Sequence, residues 1–402
     1  MTNSVSSTKQ KLDIDAFFSG VGGIELGFEQ TGEFRVVYAN EFDKNARITY
    51  SENFPDIKLD EQDIHDVNPN EIPDADVIMG GFPCQAFSIA GYRKGFEDKR
   101  GDLFFELLKM IKVKKPRVVF IENVKNLVSH DHGNTFKVIR EALAMNGYYL
   151  KWKVLNGKDY GNVPQNRERI YLVGFNNKEE FNKFEFPRPI ELTKTLKDVI
   201  DFSSKMEDKY YYRKGKQPFY DKLVPEIVSQ DTVYQWRRQY VRENKSGVIP
   251  TLTANMGTGG HNVPLILTDQ GEIRKLTPKE VFNAQGYPKD YKLPNIANGQ
   301  LYKQAGNSVV VPVINRIANS ILKALSFENK QVITLPSSKY ALIISDINGR
   351  SEGSSYVEKY ANSREELYKF VKSTDIELIQ DTEYLKLIQN NRNSKFYMIE
   401  EI

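Results

Sequence analysis

The sequence predicts an α/β protein with a doubly wound sheet, a second, smaller domain and a C-terminal α+β extension. Short apolar stretches alternate with amphipathic stretches from residue 11 to about residue 175. A glycine-rich turn, Ser19–Gly23, follows the first apolar stretch and opens an amphipathic one. The alternation stops near Asn176, where a region rich in Tyr, Lys and Pro begins. Strands that alternate with helices form mostly parallel sheets, and this indicates the class of the first domain.

The individual elements follow from the spacing of apolar residues, which repeats every two residues in a strand and about every 3.6 in a helix. In the first domain we expect strands at Leu12–Phe18, Arg35–Ala39, Asp76–Met79, Arg117–Ile121 and Arg169–Phe175. We expect helices near Ile24–Gln30, Lys44–Asn53, Leu103–Lys112 and Thr135–Met145. Further along, the pattern predicts helices at Pro278–Ala284, Ser308–Leu325 and Ser363–Val371, and a strand at Tyr340–Ile344.

These patterns divide the chain into five segments. They are a disordered tail (1–10), the first domain (11–175), the second domain (176–262), a return to the first domain (263–329) and an accessory segment (330–402). The accessory segment is either a docking module or a lid over the last helix of the first domain, and the sequence leaves both open.

Composition and charge narrow the possible partners. The chain is 40% hydrophobic and 27% charged, which is ordinary for a globular protein. It has no apolar run long enough to span a bilayer, and its polar first residues do not resemble a signal peptide, so we expect a cytoplasmic protein without membrane contact. The segment from Lys209 to Lys245 contains nine basic and four acidic residues, whereas the segment from Ala341 onward contains eight basic and eleven acidic residues. A polyanion would therefore meet the middle of the chain.

Cys84 is the only cysteine of the chain, so an internal disulfide and a cysteine-rich zinc site are both excluded. It follows the apolar strand Asp76–Met79 and the turn Gly80–Pro83. Reactive groups of α/β proteins are presented at the carboxyl ends of strands. From position alone Cys84 is either a buried structural thiol or a nucleophile. The four histidines show no metal-ligand spacing, and we expect no metal.

Several polar residues follow predicted strands at the same edge of the sheet. The turn Ser19–Gly23 offers free backbone N–H groups, and Glu41 and Asp63 follow the next strand units. A carboxylate in this place can bind the hydroxyls of a ribose, so these residues are typical of an adenosine-type cofactor site. The alternatives are a simple tight turn for the glycines, and solvated or helix-capping carboxylates for Glu41 and Asp63.

A second group of candidates lies further along the chain. Glu122 follows a strand directly, where a general acid or base would lie, although a capping or solvated Glu is the alternative. Arg167 and Arg169 are separated by one residue on an extended segment and so point the same way, unless they form ordinary surface ion pairs. Asn307 or Ser308 is the expected N-cap of the last core helix, and capping alone would explain both.

Taken in order, these motifs resemble the DNA (cytosine-5) methyltransferase family of bacterial restriction–modification systems. The resemblance covers about residues 12–175 and 263–325, and it implies a Rossmann-like methyltransferase sheet with a target-recognition domain at 176–262. One departure is visible, because Ala16 stands where the family commonly has Asp beside the glycine turn. The matching motifs are Phe18–Gly23, Gly81–Ser88, Glu122–Val124, Gln165–Arg169, Leu276–Pro288 and Gln304–Val309.

The resemblance assigns roles to these residues. It implies that Cys84 attacks carbon 6 of cytosine, that Glu122 and Arg169 hold the base and that Arg167 supports the site. The methyl group would come from S-adenosylmethionine, leaving S-adenosylhomocysteine, with no metal. The residues implied in cofactor binding are Phe18, Gly20, Gly22, Gly23, Glu41, Asp63, Ile64, Pro83, Leu103 and Asn307.

The resemblance also implies a duplex DNA substrate whose target base is flipped out of the stack. The stretch 86–100 resembles the family's mobile catalytic loop. The segments 233–244 and 251–260 resemble recognition domains for C-C-G-G or C-C-N-G-G sites. We expect a monomer, with a separate cognate restriction endonuclease. Candidate DNA contacts are Gln85, Ser88, Arg93, Lys94, Arg237, Arg238, Arg242, Thr253 and Asn255.

Two other functions compete with this one. An RNA (tRNA) cytosine-5 methyltransferase shares the fold, but it has a smaller recognition region and a Cys-Phe-Thr signature that is absent here. A DNA-binding homologue without activity is disfavoured, since every catalytic motif is intact. A dehydrogenase would explain the glycine turn but not Cys84, Glu122 and the two arginines together.

Overall fold

The computed structural model describes residues 11–83, 103–256, 262–325, 333–390 and 392–402. In this part of the chain the strands form one large mixed sheet and one small sheet. Cys84 and the predicted DNA contacts Gln85, Ser88, Arg93 and Lys94 lie outside the described residues. No helix in the described ranges is both long and apolar enough to cross a membrane.

The centre of the large sheet is parallel, as the sequence predicts. Its strand order is β3-β2-β1-β4-β5-β7-β6, in which β7 runs antiparallel to both of its neighbours, β5 and β6. Parallel neighbours bring their carboxyl ends to one edge, where the loops after β1, β2, β4 and β5 meet. The bounds are β1 Leu12–Phe17, β2 Phe34–Asn40, β3 Leu59–Asp60, β4 Val77–Gly80, β5 Val118–Val124, β6 Tyr149–Asn156 and β7 Glu168–Phe175.

Helices cover both faces of this sheet, which explains why the central strands are apolar throughout. One face packs against Phe104 and Leu107 of α3. The other packs against Phe28 of α1 and Ile314 of α10. The helices of the main domain are α1 Gly23–Glu29, α2 Lys44–Asn53, α3 Leu103–Lys114, α4 Asn134–Met145, α5 Gly157–Tyr160, α6 Lys178–Lys183, α8 Pro278–Asn283, α9 Asn298–Asn307 and α10 Val311–Ala324.

The small sheet belongs to the middle region and has the strand order β11-β10-β8-β9. Its strands run on to Lys275, past the expected domain boundary at residue 262. Phe219 stacks on Trp236 with ring centroids 4.9 Å apart, which anchors the loop before β8. The elements are α7 Tyr220–Leu223, β8 Tyr234–Trp236, β9 Val241–Glu243, β10 Pro264–Leu267 and β11 Ile273–Lys275.

The C-terminal segment extends the large sheet. Residues Glu352–Ser355 of β13 pair antiparallel with Leu150–Lys153 of β6, and β12, β15 and β14 follow outward. The described part of the segment is therefore a lateral extension of the sheet of the main domain. Its elements are β12 Tyr340–Asn348, β13 Glu352–Ala361, α11 Arg364–Lys372, β14 Glu377–Leu378, α12 Asp381–Gln389 and β15 Ser394–Glu401.

Most predicted elements are confirmed, with differences of a few residues at their ends. The helix predicted over Ser308–Leu325 is α10, which begins at Val311 and ends at Ala324. A separate helix, α9, ends at Asn307 just before it and was not predicted. Pro312 occupies the first turn of α10, where its missing N–H costs nothing. The strand β6 was not predicted.

Candidate active site

A pocket of about 610 Å³ opens at the carboxyl edge of the parallel strands. This volume is within the usual range for a small-molecule site. Among the described residues, Gly22 and Arg167 are the predicted catalytic or cofactor-binding residues that do not line it, and the predicted DNA contacts lie elsewhere. The predicted residues that line it are Phe18, Gly20, Gly23, Glu41, Asp63, Ile64, Pro83, Leu103, Glu122, Arg169 and Asn307.

The glycine turn between β1 and α1 needs glycine for its backbone shape and for packing. Gly20 and Gly22 have φ values of 56° and 74°, in the left-handed region that favours glycine. A Cβ on Gly22 would lie 2.2 Å from the ring of Phe54. Phe18 is not glycine but also has φ at 56°, and it lines the pocket. Strained backbone of this kind is typical of functional sites.

Glu41 connects the end of β2 to the glycine turn. Its Oε2 accepts a hydrogen bond from the N–H of Gly20 at 2.7 Å, and its Oε1 accepts one from the N–H of Asp43 at 2.6 Å. Burial raises the pKa of Glu41, while these two amide donors oppose the rise. The carboxylate is therefore fixed at the pocket wall, with lone pairs left for a ligand.

Asp63 both caps a turn and lines the pocket. Its Oδ1 accepts a hydrogen bond from the N–H of His65 at 3.1 Å, at the start of the short helical turn Ile64–Asp66. Burial acts to raise its pKa, but the hydrogen bonds from His65 outweigh this and lower it. The capping interpretation therefore holds for Asp63, and it does not exclude a ligand contact.

Glu122 and Arg169 form a buried ion pair on the pocket wall. They lie on the adjacent strands β5 and β7, with Arg169 Nε 3.2 Å from Glu122 Oε1. Both side chains are nearly buried, with 10% and 12% of their surface exposed. Burial raises the pKa of Glu122, and the charges of Arg169 and Arg167 oppose the rise. A carboxyl group of this kind can carry a proton closer to neutrality than a solvated Glu.

The turn that leads to Cys84 rests against the same strand. Asn123 donates from Nδ2 to the carbonyl of Phe82 at 2.8 Å. A Cβ on Gly81 would lie 3.3 Å from Glu122 Oε2, so the turn passes directly beside the carboxylate. Pro83 lines the pocket and is followed in sequence by Cys84. The Glu-Asn motif thus positions the backbone that precedes the cysteine.

Arg167 lies away from the pocket and is only 1% exposed. Burial, and then the neighbouring Arg169, lowers its pKa to about 9, which leaves it charged at neutral pH. Its guanidinium donates to the carbonyls of Leu252, Gly306 and Ser308. It therefore contacts backbone from two distant segments.

Neither Asn307 nor Ser308 is a helix N-cap, so the N-cap interpretation is wrong for both, and Ser308 is instead the C-cap of α9. The N-cap of α10 is Val310, and Asn307 is the last residue of α9. Asn307 is exposed and lines the pocket. Ser308 is buried, where its hydroxyl hydrogen-bonds that of Tyr287.

The sequence analysis missed two features of the pocket. The ring of Phe42 is 66% exposed and lines the pocket next to Glu41. Lys303 forms an ion pair with Asp43 at 2.7 Å, and both residues line the pocket. The position of Phe42 directly after a strand-terminal carboxylate was a usable signal. The pairing of residues 43 and 303 had no local signal.

The predicted recognition residues lie close together in part. Arg237 donates from Nη1 to Asn262 Oδ1 at 2.9 Å, and Asn262 donates from Nδ2 to Asn255 Oδ1 at 3.3 Å. Thr253 donates to the same oxygen of Asn255 at 2.7 Å. Asn262, which the sequence analysis did not single out, therefore joins the β8–β9 hairpin to residues 253–255.

The other two predicted arginines lie on the same hairpin. Arg238 is exposed in its turn with φ at 69°, and Arg242 is exposed on β9. Both residues are therefore exposed at the surface of the small sheet.

A doubly wound sheet with a ligand pocket at its carboxyl edge, beside a buried Glu–Arg pair, is the arrangement of a Rossmann-like enzyme that binds a small cofactor. Residues 12–323 match the family model for C-5 cytosine-specific DNA methylases. The chain therefore belongs to this family and is a DNA (cytosine-5) methyltransferase.

Its relatives are bacterial type II methyltransferases. M.Bsp6I of Bacillus sp. (strain RFL6) is 62% identical over 315 residues, covering 78% of this chain and 99% of the relative. M.HhaI of Haemophilus parahaemolyticus is 41% identical over 319 residues, covering 77% and 94%. Both names place the chain among enzymes of type II restriction–modification systems.

Solved structures confirm the fold. Dnmt2 of S. pombe superposes with a TM-score of 0.61 at 18% identity, covering 79% of this chain and 100% of that one. DNMT2 of Spodoptera frugiperda gives a TM-score of 0.60 at 21% identity, covering 78% and 100%. At this level of identity the likeness concerns the fold alone.

Proposed function

We propose that this enzyme methylates carbon 5 of a flipped cytosine in a short duplex DNA site, through a covalent Cys84 adduct at carbon 6. One observation carries the proposal most directly. The Glu122–Arg169 pair lies on the pocket wall, directly beside the turn that leads to Cys84. A cytosine at this wall would meet a proton donor and a cation, beside the turn that Cys84 follows in sequence.

The cysteine solves a problem of reactivity. Carbon 5 of cytosine is a poor nucleophile, but addition of a thiolate at carbon 6 makes the ring an enamine whose electron pair lies on carbon 5. Once carbon 5 has formed its new bond, loss of its proton restores the double bond and expels the thiolate. A free thiol is only a few per cent ionised near neutrality, so the site must favour the thiolate or deprotonate it during attack.

Glu122 and Arg169 would stabilise the activated ring. The raised pKa of Glu122 favours a carboxyl group that hydrogen-bonds N3 and accepts from the exocyclic amine. Arg169, held beside it, would bind O2, where negative charge develops. Asn123 would keep the cysteine turn in place through its bond to Phe82.

The described pocket residues fit S-adenosylmethionine, which supplies an electrophilic methyl group on sulfur when bound. The fixed carboxylate of Glu41 suits the hydroxyls of a ribose. The exposed ring of Phe42 offers a face on which an adenine can stack. Asp63 and Ile64 lie next to each other on the wall, one as an acceptor and one as an apolar contact.

The middle region would bind and read the DNA. Its excess of basic residues suits contacts to phosphates, which orient a duplex without reading its sequence. The Arg237–Asn262–Asn255–Thr253 network presents planar donors and acceptors of the kind that read base edges. With DNA as its substrate, the enzyme would act in the bacterial cytoplasm, at the nucleoid. We also propose that it acts as a monomer.

The proposal is tested by methyl transfer from labelled S-adenosylmethionine to duplex DNA and, in parallel, to total tRNA. We expect label in DNA only, and none with the Cys84→Ser variant, whose affinity for S-adenosylhomocysteine should stay at the wild-type value. Transfer to tRNA in place of DNA would contradict the substrate. Unchanged transfer by Cys84→Ser would contradict the covalent mechanism.

The recognition site is tested with a duplex library of random sequence. Bisulfite sequencing after methylation reports every modified cytosine together with its neighbours. The C-C-G-G or C-C-N-G-G prediction requires a C-C…G-G frame around the modified base, and any other frame refutes it. A cognate endonuclease, if present, would cleave the same sites and be blocked by their methylation.

A further inference from the structure

Arg167 is a buried cation whose strongest contacts are backbone carbonyl groups. Its Nη1 donates to the carbonyl of Leu252 at 2.7 Å, and its Nη2 donates to the carbonyls of Gly306, at 2.9 Å, and Ser308. Burial of an arginine is costly unless its donors are satisfied. The carbonyls it binds are therefore held at fixed places relative to β7.

These carbonyls belong to the two segments that the proposed function uses most. Leu252 immediately precedes Thr253, in the recognition network. Gly306 and Ser308 flank Asn307, which lines the cofactor pocket. A single guanidinium thus bridges the segment expected to contact DNA and the wall expected to contact the cofactor.

Gly306 provides a second, independent link between the same two segments. A Cβ at this position would lie 2.2 Å from the backbone nitrogen of Ala254 and 2.3 Å from the carbonyl carbon of Thr253. Backbone therefore packs directly on backbone, and any larger residue must move one segment away from the other. Arg167 and Gly306 together are called the joint below.

The recognition segment is also bonded to the chain just before Arg167. Ile249 donates from its backbone N–H to the carbonyl of Pro164 at 2.7 Å, and Asn166 donates to the carbonyl of Ile249 at 2.8 Å. The hydroxyl of Thr251 donates to the carbonyl of Asn166 at 2.6 Å. Residues 249–252 therefore lie alongside residues 164–167, the segment that leads into β7, and the joint extends this contact to residue 254.

We propose that Arg167 is a positioning residue that couples DNA recognition to cofactor binding, by fixing residues 253–255 relative to Asn307. The inference rests on the proposed function and specifies how its two binding sites communicate. When DNA binding fixes the recognition segment, the joint also fixes the pocket wall, and the affinity for the cofactor rises. By thermodynamic linkage, cofactor binding raises the affinity for DNA by the same factor. Weakening the joint should uncouple the two sites without removing either.

The test measures both affinities in the full-length enzyme, using S-adenosylhomocysteine and a duplex that carries the site found in the library. Each dissociation constant is determined with and without the other ligand, and their ratio is the coupling factor. For the wild type we expect coupling of about fivefold or more, equal from both sides. For Arg167→Lys, which keeps the charge but loses the planar fork, we expect the factor to fall to about one.

Two further variants separate coupling from general damage. Gly306→Ala leaves Arg167 intact but separates the two segments, and it should lower the coupling factor in the same way. Arg117→Lys is the matched control, because Arg117 is also buried but pairs with Glu180, at the far end of β7. It should lower the unfolding temperature and leave the coupling factor at the wild-type value.

Three results would overturn the proposal. They are a wild-type coupling factor of one, an unchanged factor in both joint variants, and an equal loss in Arg117→Lys. If Arg167→Lys does not fold, Gly306→Ala decides the outcome. Failure of the proposed function is distinguishable, since the wild type would then transfer no methyl group to the duplex in the same preparation.

Discussion

Arg169 Nε lies 3.2 Å from Glu122 Oε1, across the adjacent strands β5 and β7, at the wall of the pocket. The two residues are 47 positions apart in the sequence and meet because the strands pair in register at Val124 and Arg169. The pair keeps a buried carboxyl group in contact with one cation, and so sets the electrostatics where a cytosine would be held.

Substitution of Glu122 should abolish most of the chemistry and spare cofactor binding. Glu122→Gln keeps the shape but cannot transfer a proton to N3, so we expect methyl transfer to fall by roughly 10²- to 10⁴-fold. Single-turnover rates on duplex DNA measure the loss. Glu191→Gln, at an exposed carboxylate, is the control and should stay within about twofold of the wild type.

The same variant tests the pH dependence. Since burial raises the pKa of Glu122, the protonated form should be lost as pH rises through that raised value. The wild-type rate should therefore carry a decline toward high pH that is missing from Glu122→Gln. A decline of the same midpoint and size in both proteins would assign it to another group.

Glu41 should contribute much of the cofactor affinity. Hydrogen bonds to a charged group are worth about 1.5–3 kcal/mol, so Glu41→Gln should weaken S-adenosylhomocysteine binding by roughly 10- to 100-fold. Isothermal titration calorimetry gives the value directly. Glu61, whose side chain is 67% exposed, is the matched control as Glu61→Gln. Equal affinities for wild type and Glu41→Gln would remove Glu41 from the cofactor site.

The Lys303–Asp43 ion pair should slow escape of the cofactor. Both residues line the pocket, and exposed pairs of this kind are worth about 0.2–1 kcal/mol, so Lys303→Met should speed dissociation by roughly two- to fivefold. The difference should shrink at high salt. Lys289→Met, at an exposed lysine, should have no such effect, and a salt-independent difference would point to a cause other than charge.

Asp15 should make the enzyme less stable as pH rises. It is 0% exposed in β1, and its carboxylate has no hydrogen-bond partner among the described residues. Burial raises its pKa to about 8, against the opposing charge of Lys114. The folded protein therefore binds this proton more tightly than the unfolded chain, whose pKa is about 3.9. The contribution of this bound proton to the free energy of unfolding is fully present below pH ~4. It decreases as pH rises and is lost by pH ~8.

Asp15→Asn removes this titration. Urea unfolding at acidic and mildly alkaline pH should show the variant gaining several kcal/mol, up to about 5, on the wild type as pH rises, since each unit of pKa shift corresponds to about 1.4 kcal/mol. Asp56→Asn, at an exposed site, should follow the wild type. Parallel pH profiles for wild type and Asp15→Asn would refute the assignment.

Arg140 should fasten the C-terminal extension to the catalytic domain. It is 1% exposed, its guanidinium carbon lies 4.6 Å from the ring centroid of Trp152, and Nη2 donates to the hydroxyl of Tyr384 at 2.8 Å. Tyr384→Phe removes the acceptor from a buried charge and should cost about 1.5–3 kcal/mol in the free energy of unfolding. Tyr368→Phe, at a ring that is 45% exposed, is the control. Equal stability of the two variants would mean that Arg140 does not hold the extension.

The sequence predicts the pocket edge of the main domain well, because local signals determine it. Apolar periodicity places β1, β2, β4 and β5 close to their observed bounds, and strands of this type must bring Glu41 and Glu122 to one edge. The strand β6 was missed although Leu150 and Trp152 show the alternation of a strand. The lysines at 151 and 153 make this stretch resemble an exposed surface segment. The strand that pairs with it, β13, lies about 200 residues further along the chain, so no local signal indicates the pairing.

Contacts between distant segments account for the remaining differences. The positions of Asn307 and Ser308 suggested a helix cap, but Pro312 determines where α10 starts, and Asn307 faces the pocket instead. Arg167 looked like one half of a cationic wall with Arg169, yet its guanidinium reaches carbonyls 85 and 139 positions further along the chain. Residue type and spacing indicate what such a side chain can bind, but only the tertiary packing selects its partners.

The covalent role of Cys84 is the central claim, and adduct trapping tests it most directly. A duplex with 5-fluorocytosine at the target position cannot lose a proton from carbon 5, so the enzyme incubated with S-adenosylmethionine should remain bonded to the DNA. Intact-mass and peptide analysis should then show the enzyme carrying a methylated fluorocytosine strand at Cys84, with no adduct for Cys84→Ser. An adduct on another residue, or methyl transfer to normal duplex by Cys84→Ser, would contradict the mechanism.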